Sequence, residues 1–418
     1  MAQPDIKNLV TEIARKAKKN SYSVMKLSTT IKNNVLADVA KGLRQEADAI
    51  IEQNKKDLTL AEEKKLSKAM IDRLMLDKNR IEGIAKAVEE IINLEDPAGQ
   101  MTKMYKRPNG LKIAKVRVPI GVIGIIYESR PNVTIDAFSL SFKAGNSVIL
   151  RGGSESFHSN MALSAIVLGA LKKNKIPESA LSYIPVTDRQ SVQELIQLDE
   201  YVDLIIPRGG PGLIKAVTEN SRVPVIKHDK GLCHIFIDAE YDTQNAIDIV
   251  LNAKIQRPGV CNAVETLLIH KDFKDKKAII DALVNNNVEV RCDKTLQDLN
   301  PKTLPATDED WDTEYLDYII SVKQVNSIDE AIEHINTHSS HHSESILTKD
   351  YKNAQQFLDE VDSAAVYANA STRFTDGGEF GLGAEIGIST NKLHSRGPMG
   401  LEDLTTQKFI IWGNGQIR

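Results

Sequence analysis

The run Val122-Ile123-Gly124-Ile125-Ile126-Tyr127 decides the fold class. Six almost uniformly apolar residues suit a strand covered on both faces, as strands of parallel sheets are. Just upstream, Lys112-Ile113-Ala114-Lys115-Val116-Arg117-Val118 alternates as a half-buried strand does. Downstream, helix and strand patterns take turns. Residues 132–144 read as a helix, 147–150 as a strand, 160–171 as a helix and 202–206 as a strand. Residues 213–219 follow as a helix and 223–226 as a short strand. That order implies a parallel sheet with helices on both faces. A second series of the same texture starts at His234-Ile235-Phe236-Ile237 and runs to about residue 370. Before the first strand, residues 4–96 read as helices, with Ile71, Leu74, Ile81, Ile84, Val88 and Ile91 at helical spacing. The Pro/Asp-rich stretch 299–313 reads as a surface loop or insertion. Residues 407–412 and 112–118 read as strands with unpaired edges in a monomer, and such edges need a partner.

Composition excludes several classes. The chain has 418 residues, 41% hydrophobic and 26% charged, which is ordinary for a globular protein of roughly two to three domains. Lys and Arg number 53 against 57 Asp and Glu, and no basic block occurs, so no nucleic-acid partner is expected. The first six residues lack the features of a signal peptide and no apolar run reaches transmembrane length, so a cytoplasmic protein without membrane contact is expected. Three cysteines without CxxC spacing argue against a disulfide framework or a zinc site and for a reducing compartment.

Chemistry concentrates in Ile255-Gln256-Arg257-Pro258-Gly259-Val260-Cys261-Asn262. Pro and Gly place Cys261 in a tight turn between a helix and a strand. Backbone N–H groups there can favour a thiolate and stabilise an oxyanion. The alternative is a small buried apolar residue. Two Gly-rich turns follow strands: Arg151-Gly152-Gly153-Ser154 and Arg208-Gly209-Gly210-Pro211-Gly212. Either can cradle a phosphate on backbone N–H groups at a helix start, or be a plain turn. Asn132 opens a helix after Arg130-Pro131, as an oxyanion donor or as an N-cap. Residues 331–344 hold four histidines, with His334 and His338 one turn apart. Without HExxH or a nearby cysteine, loop architecture or substrate contact is preferred to a metal site.

Together these pieces resemble the aldehyde dehydrogenase superfamily. More closely they resemble its branch that reduces γ-glutamyl phosphate. The resemblance spans essentially the whole chain. It rests on residues 127–137 (Y-E-S-R-P-N-V-T-I-D-A), 149–155 (I-L-R-G-G-S-E), 257–268 (R-P-G-V-C-N-A-V-E-T-L-L), the His-rich 331–346, and the Gly-rich 378–390 and 396–406. It implies an aldehyde-dehydrogenase-like α/β fold: two doubly wound α/β domains plus a small β oligomerisation arm. The implied boundaries are 1–229 for the cofactor-binding domain (105–118 lying in the arm), 230–375 for the catalytic cysteine domain, and 376–418 for a return segment and oligomerisation strand. The implied reaction is NADPH-dependent reduction of L-glutamyl 5-phosphate to L-glutamate 5-semialdehyde, the second step of proline biosynthesis from glutamate.

In that reaction Cys261 forms a thioester and Asn132 with the Cys261 N–H holds the oxyanion. Gly152, Gly153, Ser154, Arg208, Gly209 and Gly210 are the implied NADP(H) contacts. Arg151 and Ser154 stand where the superfamily has a lysine and a ribose-binding acid, which favours a 2′-phosphate. Glu314, in a degraded counterpart of E-I-F-G-P, is the candidate for the nicotinamide ribose. Arg373 and Arg396 are candidates for the substrate's charged end, or for a surface ion pair. Residues 225–232 hold no Glu where oxidising members keep the base that activates water. A homodimer or homotetramer is implied, and association with glutamate 5-kinase is a further expectation. Three alternatives stay open: an NAD(P)-linked oxidising aldehyde dehydrogenase, a cofactor-free hydrolase pairing Cys261 with His228, and an inactive partner of the kinase.

Overall fold

The structure is a computed structural model that describes residues 5–227 and 230–418; for Ala69 only the backbone is described. The chain divides into two compact units. One is Met1–Lys227 with Gly381–Gly387 and Met399–Arg418; the other is His228–Phe380 with Ile388–Pro398.

The first unit opens with five helices: α1 (Ile6–Val24), α2 (Thr29–Gln45), α3 (Ala47–Glu63), α4 (Lys68–Leu74) and α5 (Lys78–Asn93). Their starts are chemically marked. The carboxylate of Asp77 accepts from Arg80 N (2.7 Å) and the Ser28 hydroxyl from Ile31 N (3.4 Å), which occupies donors the helix leaves over. Strands β1 (Met101–Lys106) and β2 (Lys112–Pro119) follow, then β3 (Val122–Tyr127), α6 (Val133–Lys143), β4 (Ser147–Gly152), α7 (Phe157–Lys173), β5 (Leu181–Tyr183), α8 (Gln190–Leu195), β6 (Leu204–Arg208) and α9 (Pro211–Asn220). Strands β5-β4-β3-β6, in that order, form a parallel sheet in which Ile125 lies between Leu150 and Ile206. Every residue of β3 is buried. On one face, Val35, Leu36 and Leu43 of α2 and Ile81, Ile84 and Val88 of α5 join Phe138 and Phe142 of α6 in one core. Burial of each such side chain is worth roughly 1.5–3 kcal/mol.

Two short elements here, β5 and α8, escaped the sequence reading. The expected strand 223–226 reduces to one bridge, Val225 to Ile205. Pro224 has no N–H to donate to a ladder.

The second unit contains β7 (Cys233–Ile237), α10 (Thr243–Ile255), β8 (Val264–His270), α11 (Lys276–Asn285), β9 (Glu289–Cys292), β10 (Leu304–Pro305), β11 (Ile319–Val325), α12 (Ile328–His338), β12 (Ser343–Leu347), α13 (Tyr351–Glu360) and β13 (Ala365–Ala368). The strands form a seven-stranded parallel sheet in the order β10-β9-β11-β8-β7-β12-β13. The stretch 299–313 is more than a loop. It adds β10 to the sheet edge and carries a capped turn, Asp308–Asp312, whose Asp310 binds Arg291 at 2.7 Å. Two short antiparallel strands, β14 (Ile388–Ser389) and β15 (Gly397–Pro398), complete the unit.

The last strand, β16 (Thr405–Trp412), belongs to the first unit and pairs antiparallel with β2 along its whole length, Thr405 opposite Pro119 and Trp412 opposite Lys112. β1 pairs with the other edge of β2. Residues 112–118 are therefore the centre of a three-stranded sheet, contrary to the expected free edge; the pairing of the tail within its own chain satisfies them. The free edges are β1 and β16. Their exposed side chains include Met101, Met104, Phe409, Ile411 and Trp412. Among the described residues, no helix is long and apolar enough to cross a membrane.

Candidate active site

In the second unit, α10 starts on Asp242, whose carboxylate accepts from Asn245 N (2.9 Å), and runs to Ile255. Pro258 and Gly259 end the helical path, and Ala263 N closes the next turn on Val260 O (3.1 Å). Cys261 lies in this turn, half-buried. The other two cysteines are buried, and burial pushes both thiols up, Cys292 to about 12. Of the three thiols, Cys261 alone is partly open to solvent. The protonated Cys233 thiol donates to the Cys261 carbonyl (3.2 Å). Gly231 packs directly on the Cys261 backbone, so a Cβ there would overlap the Cys261 carbonyl and Cα. Gly231 N donates to Glu314 Oε1 (2.8 Å), which is where the structure places that carboxylate; burial pushes it up.

Both ends of the turn are clamped. Arg373 Nε donates to Gln256 Oε1 (2.9 Å), and its Nη1 donates to Asn262 Oδ1. Thr372 donates to Asn262 O (2.7 Å), and Asn262 Nδ2 to Thr375 O (2.8 Å). The guanidinium of Arg373 is thereby a brace of the turn that holds Cys261. Arg396 donates to Asp362, which also binds Lys392, so it sits in an ion-pair cluster. Lys254, in the last turn of α10, and Glu265, second in β8, form an ion pair of 2.6 Å with neither side chain exposed. Burial pushes the Glu265 carboxyl up and the Lys254 ammonium down, and each holds the other in its charged form. Glu265 also accepts from Leu316 N (3.2 Å). The sequence reading missed this pair, although a carboxylate inside the apolar run 264–269 is a usable signal.

Three of the histidines pack ring on ring around His334. His334 is buried, its ring 4.5 Å from His338 and 5.5 Å from His234, and burial holds it far below its ordinary pKa. His338 faces Asp312 at 2.9 Å, and His341 the Asp362 carbonyl at 2.6 Å. Among the described residues, no three metal-ligating groups converge. His228 and Asp229 lie outside the described residues, and so does the pairing of Cys261 with His228.

In the first unit, the carboxyl ends of β3, β4 and β6 share one edge, where doubly wound sheets bind ligands. Gly210 N, at the start of α9, donates to Glu128 Oε2 (2.9 Å): the helix start already accepts an anion. A Cβ at Gly209 would strike Glu128 and Leu213, and one at Gly152 would strike Asn160 and Tyr127. A Cβ at Gly153 would strike Glu155. Two carboxylates of the chain, Glu128 and Glu155, stand over this backbone, and a dinucleotide phosphate would take the place of Glu128 at the Gly210 N–H. Ser154 is exposed and begins a short turn ahead of α7. Arg208 ends β6 and helps keep Asp136 ionised. Arg151 differs from expectation. It is 7% exposed, and its guanidinium donates to Ser191 Oγ (3.3 Å), Gly152 O (3.0 Å), Thr187 O (2.8 Å) and Asp188 O (3.3 Å). It ties β4 to the turn before α8, an element the sequence reading lacked.

Asn132 has helical backbone (φ −56°, ψ −31°) and makes no side-chain cap bond. Its Nδ2 donates instead to Asp136 Oδ2, one turn on (2.8 Å). A carboxylate accepts only from the NH2 side, so the amide's orientation is fixed. Burial pushes the Asp136 carboxyl up to about 6, against Asn132 and Arg208.

The aldehyde dehydrogenase family model matches residues 5–319 and 302–410. The chain is 54% identical over 411 residues to the gamma-glutamyl phosphate reductase of Geobacter sp. (strain M21), covering 98% of each chain. It is 54% identical over 407 residues to that of Clostridium perfringens (strain ATCC 13124), covering 97% of this chain and 98% of the relative. The crystal structure of gamma-glutamyl phosphate reductase from Thermotoga maritima superposes with a TM-score of 0.96 at 47% identity, covering 98% of this chain and 99% of that one. The chain belongs to the aldehyde dehydrogenase family, an oxidoreductase with the family's α/β fold and a nicotinamide cofactor.

Proposed function

We propose that the chain reduces L-glutamyl 5-phosphate to L-glutamate 5-semialdehyde with NADPH and releases phosphate, as the second step of proline biosynthesis in the cytoplasm. The observation that carries this reading is Cys261, the one half-exposed cysteine of three, in a turn braced from both ends. The names of the relatives at 54% identity supply the substrate.

Cys261, as the thiolate, attacks the C5 carbonyl. The carbon–oxygen bond to phosphate breaks and a thioester remains. When bound, the reduced nicotinamide supplies the hydride that turns this thioester into a thiohemiacetal. Collapse of its oxyanion breaks the C–S bond, frees the aldehyde and restores the thiolate. The proton consumed overall goes to the departing phosphate. Asn132 holds the oxyanion with the amide hydrogen that Asp136 does not use. Arg208, Gly209 and Gly210 hold the pyrophosphate, Gly152, Gly153 and Ser154 the adenosine side, and Glu314 the nicotinamide ribose. Residues 225–232 supply no Glu to activate water, which protects the thioester from hydrolysis. The exposed apolar edges β1 and β16 suit strand addition between copies in a homodimer or homotetramer.

The reverse reaction tests the reading. NADP⁺, phosphate and glutamate semialdehyde should yield NADPH. Turnover with NAD⁺ and an ordinary aldehyde, without need of phosphate, would favour an oxidising enzyme instead.

A further inference from the structure

Two cysteines from distant parts of the second unit meet at one turn. Cys261 lies in the turn and is half-buried; Cys233, the first residue of β7, is buried. The Cys233 thiol donates to the Cys261 carbonyl at 3.2 Å. A carbonyl oxygen stands about 2.4 Å from its own Cα, so the Cys233 sulfur is within about 5.6 Å of the Cys261 Cα. The Cys261 sulfur, about 2.8 Å from that same Cα, closes most of the gap by rotation about its Cα–Cβ bond. Gly231, two residues ahead of Cys233, packs on the Cys261 backbone with no side chain to hold the segments apart.

Cys233 is not placed like a packing residue. Cys292 shares a hydrophobic cluster with Val290, Ile320 and Val322. Among the described residues, Cys233 belongs to no such cluster. Its sulfur faces polar groups instead: the Cys261 carbonyl, the backbone N–H of Ser343, and His342 Nδ1 at 3.8 Å. Burial, with the Glu344 carboxylate nearby, keeps the Cys233 thiol protonated. An oxidant arriving from solvent therefore meets Cys261 first.

We propose that Cys233 is the resolving thiol of a reversible oxidation of Cys261 by peroxide. The Cys261 thiolate bonds to one peroxide oxygen, the O–O bond breaks, and hydroxide leaves; the product is a sulfenic acid. The Cys233 sulfur then attacks the sulfenic sulfur. The S–O bond breaks, and the thiol proton departs with that oxygen as water. Two electrons have passed from the two sulfurs to the peroxide, and a Cys233–Cys261 disulfide remains. In this form Cys261 attacks no acyl group, and it is spared the further oxidation to sulfinic acid that thiols do not reverse. A dithiol reductant exchanges with the bridge, becomes the disulfide itself, and returns both thiols. Transient bridges of this kind are the ones that occur in reducing compartments. The bridge forms whether or not Cys261 carries an acyl group in turnover.

The experiment treats the full chain, freed of added thiols, with a small excess of hydrogen peroxide. Remaining thiols are then alkylated with N-ethylmaleimide in denaturant, and intact mass and peptide mapping without reductant read the products. The wild type should keep one alkylatable thiol of its three, Cys292, and yield a linked peptide pair carrying Cys233 and Cys261. Dithiothreitol should restore all three. Turnover of semialdehyde, NADP⁺ and phosphate should fall at least tenfold with peroxide and return to within twofold with dithiothreitol. Cys292→Ser should behave as the wild type. In Cys233→Ala, Cys261 should instead gain two oxygens, about 32 Da, and dithiothreitol should leave the tenfold loss in place. Three outcomes in the wild type overturn the proposal: all thiols intact, Cys261 heavier by about 32 Da without a linked peptide, or a bridge that joins two chains. Full recovery of oxidised Cys233→Ala also overturns it. If Cys233→Ala does not fold, the wild-type masses decide. They decide equally in a chain without turnover, a result that counts against the function proposed above and not against the bridge.

Discussion

Gly231 lies against the backbone of Cys261 so closely that a single added carbon at position 231 would overlap the Cys261 carbonyl and Cα. A glycine from the segment ahead of β7 therefore sets the height of the turn that holds Cys261. Gly231→Ala must push that turn away, and such overpacking costs about 1–3 kcal/mol. Turnover should fall at least a hundredfold while NADPH binding, measured by fluorescence titration, stays near the wild-type value.

The buried Lys254–Glu265 pair spans the same turn. Lys254→Met strands a carboxylate and should destabilise the chain by about 3–5 kcal/mol. The double variant Lys254→Met/Glu265→Leu should recover most of that loss. Thermal unfolding of the three proteins, compared at pH 7, checks both statements. Equal melting temperatures for the single and double variants would mean that the two side chains do not act as a pair.

Asp136 provides the pH-dependent case. Its folded pKa is raised to about 6, above the ordinary carboxylate value of about 3.8, so its ionisation opposes folding. The stability it contributes is fully present below about pH 3.8 and is lost as pH rises through about 6. Asp136→Asn keeps an acceptor for Asn132 and removes this titration. Its melting temperature should match the wild type near pH 4 and exceed it near pH 7. After allowance for partial solvent exposure, the gain is on the order of 1 kcal/mol. A difference that does not change with pH contradicts the assignment.

Arg151 separates two modes of cofactor selection. Because its guanidinium braces the turn 187–191, Arg151→Ala should weaken NADPH and NADH binding alike, by roughly 1–3 kcal/mol, and lower the melting temperature. Loss of NADPH binding alone, with NADH unaffected, would restore the direct contact with the 2′-phosphate that the sequence suggests.

Arg151 also shows where sequence reading stops. The apolar run 122–127 and the alternation after it place β3, β4, β6 and their helices, because burial on both faces leaves a compositional mark. The three-residue β5 leaves none. The short α8 leaves none either, and without the turn before it Arg151 reads as a 2′-phosphate contact and not as a tie from β4 to residues 187–191. Arg373 and Glu314 are similar: their roles depend on Gln256, Asn262 and Gly231, dozens of residues away, and no local pattern carries such pairings. The tail strand was legible as a strand, but its partner, β2, lies nearly three hundred residues upstream. The turn that holds Cys261 was legible because Pro258 and Gly259 mark it in the sequence itself.

The central claim is that Cys261 carries the acyl group as a thioester that phosphate, and not water, resolves. The most direct measurement is a rapid-mixing assay with NADP⁺ and glutamate semialdehyde in the absence of phosphate, with phosphate added afterwards. The account predicts a burst of NADPH approaching one equivalent per chain, then a stall, then steady turnover once phosphate is added, and no burst in Cys261→Ala. A burst of the same size in Cys261→Ala, or steady turnover without phosphate in the wild type, would contradict it.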